Sequence, residues 1–118
     1  MKRDYLDYIQ DIFDSIKEVE MFIKGFDYDA FEKDRKTVNA VVRSLEVIGE
    51  AVKKVPEGVK NQYSEIPWKN MSGMRDKLIH EYFGVDEEIV WNVASEELPP
   101  LKSSFQRILE EQNKYDQK

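Results

Sequence analysis

The sequence predicts an all-α protein, an antiparallel bundle of four to five main helices. Three observations carry that prediction. Apolar residues recur at spacings of three and four along most of the chain, proline, glycine and aspartate fall where those runs begin or end, and no stretch alternates apolar and polar residues as a half-buried strand would.

The first run places Tyr5, Ile9, Ile12, Ile16, Val19 and Ile23 on one stripe, widened by Leu6, Phe13 and Phe22. It predicts a core-facing helix of about twenty residues ending at Gly25. Residues 27–34 read as a turn with a short helix carrying Phe31. Val38, Val41, Leu45, Ile48, Val52 and Val55 predict a second long helix that stops at Pro56 and Gly58. Gly49 and Ala51 are small, so another backbone could approach closely there. Pro67 opens a third long helix, where its missing N–H costs nothing. That helix carries Trp68, Met71, Met74, Leu78, Ile79 and Tyr82 and ends at Gly84. Asp86 is a good N-cap for a helix with Ile89, Val90, Val93 and Leu98. Pro99-Pro100 breaks the path, Leu101, Phe105, Ile108 and Leu109 begin a last helix, and residues 110–118 form a fraying polar tail.

The 118 residues fit one domain, 1–118, of a size at which a dimer interface can add useful burial. With 41% hydrophobic and 36% charged residues the chain reads as soluble and globular. The absence of cysteine removes disulfides and thiolate metal sites and suits a cytoplasmic setting. No apolar run is long enough to span a membrane, and the N-terminal segment does not read as a secretory signal. The net charge of −6 argues at first against nucleic acid, but its distribution is uneven. Residues 33–80 hold ten basic and six acidic side chains, between two segments that each hold four basic and nine acidic. A local basic face can still hold phosphate, since surface charges beyond roughly 8 Å are screened at physiological salt.

His80 is the sole histidine and the one side chain whose ordinary pKa lies near neutrality. Asp76, four residues earlier, shares its stripe on the expected helix and would orient the imidazole. Arg75 and His80 diverge by about 140° on an ideal helix, so they meet only at a groove or across a dimer seam. An Asp–His pair four apart near a helix C-terminus is also an ordinary surface feature. One histidine among scattered acids gives no metal-ligand spacing, and there is no glycine-rich phosphate loop or nucleophile elbow. The pair Met71 and Met74 reads as core.

The longer strings narrow the choice. The matching stretches are Arg3-Asp4-Tyr5-Leu6, Phe31, Arg43 through Ala51, Ile66-Pro67-Trp68, Met74 through Asp86, Val90-Trp91 and Leu98-Pro99. Through them the chain resembles the HepT-like family (domain of unknown function 86) of the HEPN superfamily of helical ribonucleases. Arg75, His80 and Tyr82 match that family's Arg-x-x-x-x-His-x-Tyr signature, with Asp76 as the polar residue after the arginine. The resemblance implies a HEPN-like homodimer with two motif copies facing a shared cleft, acting as the toxin of a toxin–antitoxin pair. It implies as antitoxin a small nucleotidyltransferase, similar to MntA, that adds AMP to Tyr82 and so places bulk and negative charge beside Arg75 and His80.

The expected reaction is metal-independent RNA cleavage, with no cofactor. His80 is the general base on the substrate's 2′-hydroxyl, Arg75 stabilises the transition-state charge and Asp76 orients His80. Lys69, Lys77, Arg43 and Lys53 are candidate phosphate contacts, each equally explicable as a solvated helix residue. The alternatives are a non-catalytic helical module that presents nucleotide or RNA to a partner transferase, and a structural dimer in which Tyr82 only packs.

Overall fold

Asp4 opens the first helix, α1 (Tyr5–Ile23), with a capping box: its carboxylate accepts from the first turn, and Asp7 accepts from the Asp4 N–H at 3.2 Å. The computed structural model describes residues 4–74, 79–80 and 84–116, with side chains over residues 4–74 and 86–112. Gly25, at φ 82°, takes the left-handed conformation that turns the chain out of α1. Two aspartates then cap successive helices. Asp27 accepts from the Ala30 N–H at 2.9 Å to start α2 (Tyr28–Lys33), and Asp34 accepts from the Thr37 N–H at 3.2 Å to start α3 (Arg35–Lys54).

Pro56 ends the α3 region, as its lack of an N–H demands, and also serves as N-cap of a short helix, α4 (Glu57–Gln62). A still shorter helix, α5 (Trp68–Ser72), follows Pro67. Ile79–His80 (β1) and Gly84–Val85 (β2) form a two-residue antiparallel ladder, Ile79 opposite Val85 and His80 opposite Gly84. Asp86 then accepts from the Ile89 N–H at 3.2 Å and opens α6 (Glu87–Asn92).

From α6 the chain widens into a π turn (Val93–Glu97), in which the Leu98 N–H reaches the Val93 carbonyl at 2.9 Å. The turn leads straight into α7 (Pro99–Asp116). Pro99 and Pro100 were expected to interrupt the path. Instead they occupy the first turn of α7, where no N–H is needed, and the ladder widens just before them. Helix α7 also continues to Asp116, through most of the segment expected to fray.

The side-chain contacts fix how the long helices run. Ser44 on α3 donates to Glu18 on α1 at 3.5 Å, while Tyr8 and Asp11 face Val47, Ala51 and Lys54. Rising numbers on α1 meet falling numbers on α3, so the two are antiparallel. Lys102 pairs with Glu20 at 3.1 Å, whereas Tyr5 lies near Tyr63, whose hydroxyl bonds Glu111. Helix α7 is therefore antiparallel to α1 as well, and α1 lies between α3 and α7. Its Ile9, Ile12, Ile16 and Val19 are buried against Val41, Leu45, Ile48 and Val52 of α3 and Phe105 and Ile108 of α7. Fully burying such a side chain stabilises by about 1.5–3 kcal/mol. Phe31 of α2 seals one end of this core beside Trp91 of α6, ring centroids 5.2 Å apart.

The all-α class holds, with three long helices and four short ones among the described residues. No helix there is long and apolar enough to cross a membrane.

The expected close approach at Gly49 is present. A Cβ there would meet the Met71 carbonyl oxygen at 3.5 Å and the Ser72 oxygen at 3.8 Å, ordinary contact for a methyl but no room for more. Gly49→Ala should therefore be tolerated or stabilise by up to about 1 kcal/mol through helix propensity. Gly49→Val should cost about 1–3 kcal/mol by pushing α5 off α3. Urea denaturation of the two variants checks both directions.

Candidate active site

The route into the motif begins at Tyr63, which is 4% exposed. Its hydroxyl donates to the Glu111 carboxylate at 2.7 Å and accepts from the Gln112 amide at 3.4 Å. Its carbonyl accepts from the Trp68 indole N–H at 3.0 Å. Trp68 in turn sets its ring edge-on to Phe105, centroids 5.6 Å apart. Two aromatic residues thus pin the start of α5 to α7. The buried Met71 and Met74 hold its other end, as the sequence suggested, in a groove of about 260 Å³ that Val93, Leu98 and Leu101 also line. Glu96 and Glu97 of the π turn stand at the rim of that groove.

The helix expected to run from Pro67 to Gly84 is not continuous. Helix α5 stops at Ser72, with Gly73 as its C-cap, and His80 lies in extended backbone paired to Gly84. The spacing of Trp68, Met71, Met74, Leu78 and Tyr82 fits a helix, but local periodicity is a weak prior against tertiary context. Gly73 interrupts the helix, which is helical again at Met74, and the β-branched Ile79 and Val85 suit the ladder in which they are Cα partners. The 140° divergence of Arg75 from His80 and the helical stripe joining Asp76 to His80 therefore do not apply, because His80 is not helical. Arg75, Asp76, Lys77 and Tyr82 lie outside the described residues, as does the His80 side chain.

The remaining candidates separate. Lys69 lines a cleft of about 590 Å³ beside α4 and α5, with Lys60, Asn61, Asn70 and Ser72. Arg43 lines a different groove, of about 230 Å³ between α1 and α3, with Asp11, Glu50 and Lys54. Lys53 is exposed, 3.8 Å from Glu50. Of the predicted phosphate contacts that are described, only Lys69 lies on α5, the helix that leads along the chain into the motif segment. Lys60 went unmarked in the sequence because its place depends on α4, which no periodic pattern announces. Among the described residues no three His, Cys, Asp or Glu side chains lie close enough to hold a metal ion.

A small helical domain that carries its candidate chemistry on a segment between two short helices is the class that fold and site define. The chain belongs to the HepT-like ribonuclease family: the family described as "Ribonuclease HepT-like" matches residues 12–108. It is similar to a protein of Thermococcus cleftensis named "Probable ribonuclease HepT", 45% identical over 92% of this chain and 98% of the relative. It is also similar to candidate RNases of Methanocaldococcus jannaschii, 44% identical over 93% of this chain and 95% of the relative, and of Caldanaerobacter subterraneus, 43% identical over 93% and 96%. No solved structure matches the chain.

Burial and the neighbouring Glu111 carboxylate raise the Tyr63 phenol above its ordinary value of 10.0. The fold prefers the protonated ring. That preference is whole below the unfolded value and is lost as pH rises through the folded one. Tyr63→Phe should therefore cost about 2 kcal/mol at neutral pH and flatten the alkaline loss of stability above roughly pH 10. Denaturation midpoints measured from pH 7 to 11 test both effects.

Proposed function

We propose that the chain is the toxin of a toxin–antitoxin pair, a metal-independent endoribonuclease that works as a homodimer in the cytoplasm. The observation that carries this is the family match over residues 12–108, which encloses the whole run from Arg75 to Tyr82. In the proposed reaction His80 takes the proton of a substrate 2′-hydroxyl, and the 2′-oxygen attacks the adjacent phosphorus. The P–O bond to the 5′-oxygen breaks, and that oxygen receives a proton from the second copy's motif. The products are a 2′,3′-cyclic phosphate and a 5′-hydroxyl. Arg75 offsets the charge on the phosphorane-like transition state, and Asp76 orients the imidazole. A cognate nucleotidyltransferase similar to MntA adds AMP to Tyr82 and silences the site by bulk and charge.

The net charge of −6 favours one competing reading, a non-catalytic helical module that holds RNA or nucleotide for a partner transferase. Incubation with RNA in EDTA separates the two, since the enzyme cleaves and the module only binds. His80→Ala should lower cleavage by about 10²–10⁴ with unchanged circular dichroism. Full activity in that variant would remove the general base from the scheme. Mass spectrometry after co-expression with the cognate transferase should show AMP-sized increments on Tyr82. An unmodified tyrosine beside an active transferase would sink the antitoxin step alone.

A further inference from the structure

The cleft of about 590 Å³ beside α4 and α5 has a composition unlike the rest of this acidic chain. Its wall carries two lysines, Lys60 and Lys69, two amides, Asn61 and Asn70, and two hydroxyls, Ser64 and Ser72, against one carboxylate, Glu57. Lys60 is unusual among them. Its side chain is only 16% exposed, so most of its stem is packed into the wall. Its partner Glu57 is 84% exposed and 3.8 Å away, a screened pair that leaves the cation able to accept an anion. Asn61 and Asn70 are exposed and offer donor and acceptor together, which suits base edges. Ser72 precedes Arg75 by three residues, a covalent reach of at most about 11 Å.

We propose that this cleft is the substrate-strand site of the nuclease: it holds single-stranded RNA flanking the scissile position, with phosphate on Lys60 and Lys69 and base edges on Asn61 and Asn70. The inference rests on the ribonuclease reading and adds to it the place where the strand is held. A concavity of this volume takes a nucleotide or two, whereas a duplex keeps its Watson–Crick edges occupied by pairing.

The test uses a short single-stranded 2′-O-methyl RNA, which lacks the nucleophile and so is bound without being cut. Fluorescence anisotropy compares the unaltered chain, Lys60→Gln/Lys69→Gln, Asn61→Ala/Asn70→Ala, and a charge-matched control, Lys33→Gln/Lys36→Gln, on exposed positions at the end of α2 and the start of α3. The lysine pair should weaken binding roughly tenfold and lower the salt slope by about 1.4, two single-strand phosphate contacts. The asparagine pair should weaken binding without changing that slope. The control should bind as the unaltered chain does, and a duplex of the same sequence should bind more weakly. Equal losses in the control and the lysine pair, no loss in either cleft variant, or no binding by the unaltered chain would overturn the proposal. Retained binding of the probe alongside failure to cleave ordinary RNA would overturn the nuclease reading and leave the cleft standing.

Discussion

Everything in this fold depends on α1 being covered on two sides. Its buried stripe of isoleucines and Val19 meets α3 on one side and α7 on the other, both running opposite to it. Buried apolar area of this kind supplies the main favourable term against chain entropy. Small polar residues fit within the same packing. Ser15 and Ser44 are both buried, and Ser44 donates to Glu18, which spares its hydroxyl the cost of being left unsatisfied.

The short elements hang on this frame, on either side of the motif segment in the chain. Gly49 lets the α5 carbonyls lie against α3, Trp68 lies on Phe105, and Met71 and Met74 pack beside Val93, Leu98 and Leu101. On the far side of the motif Val90 is fully buried and Asp86 caps α6. The residues flanking the motif segment on both sides are thus part of the core. The same arrangement puts basic and amide groups on one side of α5 and the acidic rim of Glu96 and Glu97 on the other.

Much of this was legible in the sequence. Helices α1 and α3 followed from apolar periodicity and their terminators, α2 from the short run around Phe31, and Gly25 as a terminator, Gly49 as a point of close approach and Asp86 as an N-cap were read as well. These signals are local, and local physics decides them. The misses have two causes: backbone arrangements within a few residues that the apolar pattern does not announce and, for the end of α7, a partner far along the chain. Ile79 and His80 lie on a helical repeat yet pair with Gly84 and Val85. Pro56 reads as a stop but also starts α4. Pro99-Pro100 reads as a break, yet the preceding turn widens enough to keep the path helical. Helix α7 continues beyond Glu110, where Glu111 and Gln112 bond Tyr63. For the site, residue types and family likeness pointed to Arg75, Asp76, His80 and Tyr82. Lys60 could be found only in three dimensions, because nothing in Glu57–Gln62 signals a wall of a cleft.

The latch from Tyr63 and Trp68 to α7 also bears on timing. A ribosome delivers residues 63–80 well before Phe105 and Glu111, the partners that fix α5 against the bundle. Until α7 has left the exit tunnel, α1 lacks one of its two neighbours and α5 lacks its anchors. The order is thus built in: α5 takes its final place after α7, never before it.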